Sequence, residues 1–325
     1  MFTFIAPPLM RRRAPRTILL ALAVSAGACA RQPAPDVAPA MAPESRYYAS
    51  AGRRDVSFQA MMREASKADV IFFGEQHDDP ATHRAELAVL AALGNGSRPV
   101  VLSLEMFERD VQGVLDDYLA GRIGEADFLA RSRPWERYTT DYRALVELAR
   151  ARGWPVVAAN VPRRIASAVS RKGLAVLDTL AAAERAFAAR ENLCPRDAYY
   201  ERFAETMKGH GAGGGPPTAT DSAAMRAMTD RFYEAQCVKD EAMAESIVAA
   251  RAKAAGAVVL HVDGAFHSDF GLGTAARVKR RDPGGRTVVL TAIPVDDPAK
   301  ASPADHAARG DYVIVTRKPP AAPKK

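Results

Sequence analysis

The chain is poor in the residues that most often announce a chemistry. Its 325 residues include three cysteines, six histidines and two tryptophans, and aromatic residues make up only 7%. The cysteines fit no zinc-ligand spacing and no C-x-x-C-H sequence occurs, which argues against a cysteine-built zinc domain and a covalently attached c-type haem. There is no G-x-S-x-G elbow, no H-E-x-x-H and no P-loop, so an ordinary serine hydrolase, a zincin or a P-loop NTPase is not expected. The apolar run "TILLALAVSAG" (residues 17–27) is too short to cross a membrane as a helix. Excess positive charge is thin as well. The formal net charge is +7, but residues 1–28 hold four arginines and no acid, which leaves +3 for the rest. With no polybasic cluster interleaved with aromatics, nucleic acid is not an expected partner. No internal repeat is visible.

What is present begins with a targeting segment. Arg11, Arg12, Arg13 and Arg16 form a basic n-region ahead of the apolar run, and "AGAC" (26–29) ends it. Small residues directly before a cysteine resemble a bacterial lipobox, in which Cys29 would be lipidated and become the mature N-terminus. Ala26 stands where leucine is usual, and the alternative is an ordinary signal peptide cleaved nearby. The organisation expected is a lipoprotein signal peptide at 1–28, a Pro/Ala-rich tether at 29–50, one α/β domain at 51–316 and a disordered tail at 317–325. In an exported protein the remaining cysteines, Cys194 and Cys237, are expected to pair as a disulfide.

The domain reads as strands alternating with helices. "VIFF" (70–73), "VVLSL" (100–104), "PVVAA" (155–159), "AVVLHV" (257–262) and "TVVLTAI" (287–293) are short, β-branched and apolar throughout, with "DYVIVT" (311–316) as a candidate last strand. Continuous rather than alternating apolarity predicts a mostly parallel sheet flanked by helices on both faces. Asp79 before Pro80 signals a helix start, and "GNG" (94–96) its stop. Residues 164–255 contain no good strand and read as a helical insertion, with "GHGAGGGPP" (209–217) a flexible loop inside it.

In open parallel sheets, sites form outside the carboxyl ends of the strands. Each apolar run here ends in a polar group: Glu75 and His77 after the first, Glu105 after the second, Asn160 after the third, Asp263 and His267 after the fourth. Any one of these reads equally as a helix cap or a solvated loop residue. Together they point to a convergent site. Glu75, His77, Glu105 and His267 could ligate a divalent metal with an open position for water, or support hydrolysis with a histidine or glutamate as general base.

Five segments carry a family resemblance: "FFGEQHDDPATH", "LSLEMFERDVQGVLDDYLAG", "AANVPRRIA", "FYEAQCVKDEAMAESI" and "VDGAFHSDFGLG". Together they resemble the ChaN-like haem-binding lipoproteins, of a superfamily shared with the Tiki proteases and the erythromycin esterases. The resemblance covers about residues 50–316, and Gly74, Glu75, His77, Glu105 and His267 fall on the superfamily's motif positions. It implies an α/β sandwich with a helical insertion, a lipid-anchored outer-membrane location, and haem binding linked to iron acquisition and an outer-membrane haem receptor. It also implies a homodimer with haem between subunits and a tyrosine as iron ligand. The enzymatic branches use the same Glu/His motifs for hydrolysis, so a metal-dependent hydrolase is the competing expectation.

Haem needs an apolar slot and an axial ligand such as His, Tyr or Met. The insertion offers Tyr199, Tyr200 and His210 as candidates. Met225, Met228, Phe232 and Ala235 recur at helical spacing, a stripe that fits core packing as readily as a cofactor box.

Overall fold

In a computed structural model of the protein, the described residues are Met1, Thr3, 45–208 and 219–319. The chain divides into two units, Met1–Pro35 and Asp36–Lys325, and the fold is that of the second. Cys29, His210 and the loop around His210 lie outside the described residues.

Eight strands form one sheet: β1 (Arg46–Ala49), β2 (Arg54–Val56), β3 (Val70–Glu75), β4 (Val100–Glu108), β5 (Val156–Asn160), β6 (Val258–Gly264), β7 (Thr287–Val295) and β8 (Tyr312–Arg317). Their order is β2-β1-β8-β7-β3-β6-β4-β5. The pairs from β8 across to β5 are parallel, and β1 joins β8 and β2 antiparallel. The expected α/β class with a mostly parallel, helix-flanked sheet is borne out. One boundary moves: β1 pairs Arg46–Ala49 with β8, so the folded domain starts inside the stretch expected to be tether at 29–50.

The helices are α1 (Phe58–Ala65), α2 (Pro80–Gly94), α3 (Gln112–Leu119), α4 (Glu125–Ser132), α5 (Arg143–Arg152), α6 (Arg163–Lys172), α7 (Ala182–Arg185), α8 (Ala198–Lys208), α9 (Ala219–Lys253) and α10 (Gly273–Arg281). Strand parity distributes the core. Ile71 and Phe73 of β3 join Leu90, Leu115, Phe128 and Leu145 from α2–α5 on one face. Val70 and Phe72 meet Ala244 and Ile247 of α9 and Val278 of α10 on the other. All six residues of β3 are buried, which is why the run is apolar without alternation.

α2 begins as its signal predicts. Asp79 accepts hydrogen bonds from the Ala81 and Thr82 amides, both at 3.1 Å, and the Thr316 hydroxyl of β8 donates to the same carboxylate at 2.8 Å. α5 stops at Gly153, whose φ of 68° is the left-handed cap glycine favours.

Between β5 and β6 the described residues are helical or irregular. This stretch is more than an appendage, because the C-terminal half of α9 is the cover of one sheet face. Near its middle, Cys237 is bonded to Cys194. The bond lies in a small cluster of Tyr199, Tyr233, Phe203 and Phe266. Crossovers up to β5 pack on one face and those after it on the other, so the winding reverses and opens a crevice at the carboxyl ends of the central strands.

Candidate functional site

The crevice is built from strand ends. Glu75 is the last residue of β3 and lies opposite Gly264 of β6. His77, two residues later, folds over that glycine: a methyl at Gly264 would sit 2.8 Å from His77 Nε2 and 3.7 Å from Glu105 Oε2. Glu105 lies in β4 where pairing with β5 slips between Leu104 and Glu108, an irregularity that re-aims the strand. His267 follows β6 on a short 3-10 turn, Ala265–His267. The structure thus brings Glu75, His77, Glu105 and His267 to one place.

They divide into two hydrogen-bonded units. In the first, His77 Nδ1 bonds Glu75 Oε1, and the Tyr142 hydroxyl donates to the same oxygen at 2.7 Å. Burial would raise the Glu75 carboxyl, but hydrogen bonds from His77 and His83 hold it down at about 2. Behind it, His83 Nδ1 stands 3.2 Å from both Glu75 Oε2 and Glu86 Oε2, while its Nε2 is 3.4 Å from Asp141. Burial opposes the His83 charge, yet Glu75 and Glu86 push its pKa up to about 11. Burial and the neighbouring Glu75 carboxylate raise the Glu86 pKa well above the ordinary carboxylate range.

In the second unit, His267 is clamped between carboxylates: Nε2 to Glu105 at 3.3 Å and Nδ1 to Asp240 of α9 at 2.7 Å. Thr274 donates to Asp240 at 2.8 Å, and the Gly264 amide to Glu105 at 2.8 Å. Burial would lower His267, but Glu105 and Asp240 overcome it and hold the pKa at about 10. Burial likewise opposes ionisation of Glu105, and the His267 charge outweighs it, keeping that carboxyl far below the ordinary range. His267 is therefore an imidazolium at neutral pH with both nitrogens engaged, which does not suit it to be a general base.

The metal expectation needs correction. The four strand-end residues do not form one shared ligand cage. Among the described residues, the group whose ligand atoms all lie within 4.8 Å of one another is Glu75, His83 and Glu86. Asp263 also departs from the expectation of a site-facing acid. It is fully buried and receives the Ser268 hydroxyl at 2.7 Å, and burial raises its pKa well above the usual carboxylate range. Asn160 does line the crevice.

Sequence reading missed Tyr142, Asp240, Gln236 and the His83–Glu86 pair as site members. The i, i+4 spacing that puts Gln236 and Asp240 on one face of a helix was the available signal. So was the i, i+3 spacing of His83 and Glu86.

The crevice opens into a cleft of about 940 Å³ lined by His77, Trp135, Tyr142, Arg133, Arg163 and Arg164 among others. A contiguous space of about 600 Å³ shares His77, Trp135 and Arg163 and adds Glu105, Gln236 and His267.

Residues 61–278 match the family described as haem-binding uptake, Tiki superfamily, ChaN. The chain belongs to this family. In three dimensions this ChaN-family chain is similar to the ChaN of Campylobacter jejuni, a structure described as cofacial haem binding. The TM-score is 0.64 with 18% identity, over 84% of this chain and 97% of that one. At that identity the likeness speaks for the fold. A weaker likeness, TM-score 0.44 and 11% identity over 80% of this chain and 92% of the other, is to the type III effector HopBA1. No curated protein matches the sequence.

The haem ligands expected from the insertion fare differently in this ChaN-family chain. Tyr199 is 1% exposed, and its hydroxyl accepts from Gln236 Nε2 at 3.1 Å. It packs against Tyr233 and Phe266, so it is a core residue and offers no phenolate to a ligand within one chain. Tyr200 is half-buried at the surface, donating to Asp230 at 2.8 Å beside Arg196. Neither lines the cleft.

Proposed function

We propose that this chain is a haem-binding outer-membrane lipoprotein that serves haem and iron acquisition. Family membership over residues 61–278 carries the reading. The cleft supports it, for its volume lies within the range of small-molecule sites, roughly 300–1,000 Å³. Trp135 and Pro134 supply apolar wall, and four arginines outnumber the two glutamates that line it. A porphyrin with two propionates asks for that combination of apolar face and cationic rim. When bound, haem supplies the iron centre and its redox and ligand chemistry; the protein's own part is to enclose the ring and to neutralise the carboxylates.

In this reading the Cys29 lipid holds the domain at the membrane, a second copy closes over the ligand, and an outer-membrane haem receptor exchanges cargo with it. The decisive experiment is a haem titration of the full chain followed in the Soret region. Saturable binding with defined stoichiometry is expected, and a featureless titration refutes the reading. For the anchor, Cys29→Ala is expected to move the protein from the membrane to the soluble fraction.

The hydrolase alternative has less support. Glu75, Glu105 and His267 are each held in ion pairs.

A further inference from the structure

We propose that Asn160 and Lys239, at the inner end of the cleft, form a carboxylate site that takes a propionate of haem. The site rests on the haem-binding reading above and is independent of which residue meets the iron.

Asn160 is the last residue of β5, the strand at one edge of the sheet. It is 7% exposed and lines the inner space of about 600 Å³. Its Oδ1 is buried without a hydrogen-bond partner, and its side chain makes no hydrogen bond among the described residues. Buried polar groups are almost always paired, and one left open on a cavity wall calls for water, an ion or a ligand. The neighbours along the strand, Ala158, Ala159 and Val161, are apolar and buried, so nothing local competes for the amide. The last torsion of an asparagine is roughly two-fold, so its NH2 can be turned toward an anion.

Lys239 reaches the same space from α9. It precedes Ser246 by about two turns, which puts both on one face of the helix. That face is fixed to β5: the Ser246 hydroxyl donates to the Ala159 carbonyl at 3.1 Å, and Val161 shares a core cluster with Ala235, Val238 and Ala242. Lys239 is thereby carried to the end of β5 and lines the inner space with Asn160. It is half-buried and makes no ion pair among the described residues.

The acids on that wall are already matched. Glu105 meets His267 Nε2 at 3.3 Å and the Gly264 amide at 2.8 Å. Glu108 takes the Arg133 guanidinium at 3.0 Å and the Arg163 amide at 3.0 Å. Lys239 and Arg163 are left without a countercharge among the described residues, and of the two Lys239 lies in the inner space alone, as Asn160 does. An ammonium beside an unpaired amide suits a carboxylate, whose two oxygens accept several hydrogen bonds. Phe203 and Phe232 line the same space and supply apolar wall. A porphyrin seated by one propionate at Asn160 and Lys239 would then run outward past Trp135, which lines both parts of the cleft.

The test compares ferric haem with its dimethyl ester, in which both propionates are capped, each titrated into the full chain and followed in the Soret region. Wild type, Lys239→Gln, Lys239→Arg, Asn160→Asp and Lys253→Gln are measured. Lys253 lies on α9 outside the cleft and controls for net charge. Wild type should prefer haem to the ester by about tenfold or more. Lys239→Gln and Asn160→Asp should each weaken haem binding by about 10- to 100-fold, the worth of a charge-assisted hydrogen bond, and shrink the preference over the ester. The Soret maximum should stay in place, because the iron's surroundings are untouched. Lys239→Arg should keep most of the affinity, and Lys253→Gln all of it. If haem binds saturably but both Lys239→Gln and Asn160→Asp keep wild-type affinity, or wild type binds the ester as tightly as haem, the carboxylate site falls and the haem reading stands. A loss in Lys253→Gln equal to that in Lys239→Gln would mean net charge and not a site, and overturns the assignment too. If wild type shows no saturable binding, the haem reading itself fails and takes the site with it. Far-ultraviolet circular dichroism of each variant separates lost binding from lost fold.

Discussion

Asp240→Asn is the sharpest probe of the site's architecture. The substitution keeps the shape of the side chain and removes the charge that His267 Nδ1 meets at 2.7 Å, in a spot where Asp240 is wholly buried. The imidazole pKa rises from 6.5 to about 10, opposed by burial and driven by Glu105 and Asp240. At about 1.4 kcal/mol per factor of ten, the net preference for the imidazolium is about 5 kcal/mol. Two carboxylates share it, and breaking a buried pair from one side costs about 3–5 kcal/mol, so the loss falls at about 2–4 kcal/mol. For a chain of this length each kcal/mol moves the melting temperature by about 2 °C, which gives a fall of about 4–8 °C at pH 7, measured by circular dichroism. Nuclear magnetic resonance of the ring protons supplies a second readout. In wild type His267 should not titrate between about pH 5 and pH 8, and in Asp240→Asn its midpoint should drop toward the ordinary histidine value near 6.5. A melting shift under about 2 °C together with an unmoved midpoint would show that Asp240 does not hold the His267 charge.

Three further outcomes test the same reasoning. Glu86→Gln should change stability by less than about 1 kcal/mol in denaturant melts, since burial and the Glu75 carboxylate both disfavour the ionised form that the amide cannot take; a loss of about 3 kcal/mol or more would mean Glu86 is ionised in the fold. Gly264→Ala should cost about 1–3 kcal/mol and reorient His77, because the new methyl would stand 2.8 Å from Nε2; unchanged stability and haem spectrum would refute the close approach. The stability–pH profile should be asymmetric. Glu75, lowered to about 2, contributes stability that is present above about pH 4.5 and lost as pH falls through about 2. His267, raised to about 10, contributes stability that is full below about pH 6.5 and lost as pH climbs through about 10. Glu86 and Asp263, both raised by burial, add to the loss on the alkaline side. Melting temperature should therefore be higher at about pH 5 than at about pH 8.5, and the reverse order would overturn the charge assignments.

Much of this molecule is local and hence readable in the chain. The runs that became β3 to β8 are apolar and β-branched because helices cover both faces of the sheet, a demand each strand meets with its own residues. The Asp79–Pro80 start of α2 and the Gly153 end of α5 are likewise decided within a few residues. So is the placing of Glu75, Glu105 and His267 at the strands' carboxyl ends, since parallel strands in one sheet must present those ends together. β1 and β2 escaped notice because they are short, four and three residues, without a β-branched apolar run. β1 exists as a strand through pairing with β8, whose Val315 lies opposite Arg46, and β2 through pairing with β1.

Tertiary structure alone settled what each group faces. Asp263 and His267 lie at the same strand end, yet one is turned into the interior, where burial raises its pKa, and the other is held charged. The difference comes from Asp240 on α9, a helix whose docking is set by Ala244 and Ile247 packing on the sheet. From sequence, Tyr199 is a candidate haem ligand and His77 a candidate metal ligand or catalytic residue. The cluster around the Cys194–Cys237 bond buried the tyrosine, while the side chain of Gly264, being a single hydrogen, left room for the histidine at the cleft. Residue type and spacing name the chemistry available to a site; burial and the charge of neighbours distant in sequence decide which of it remains in use.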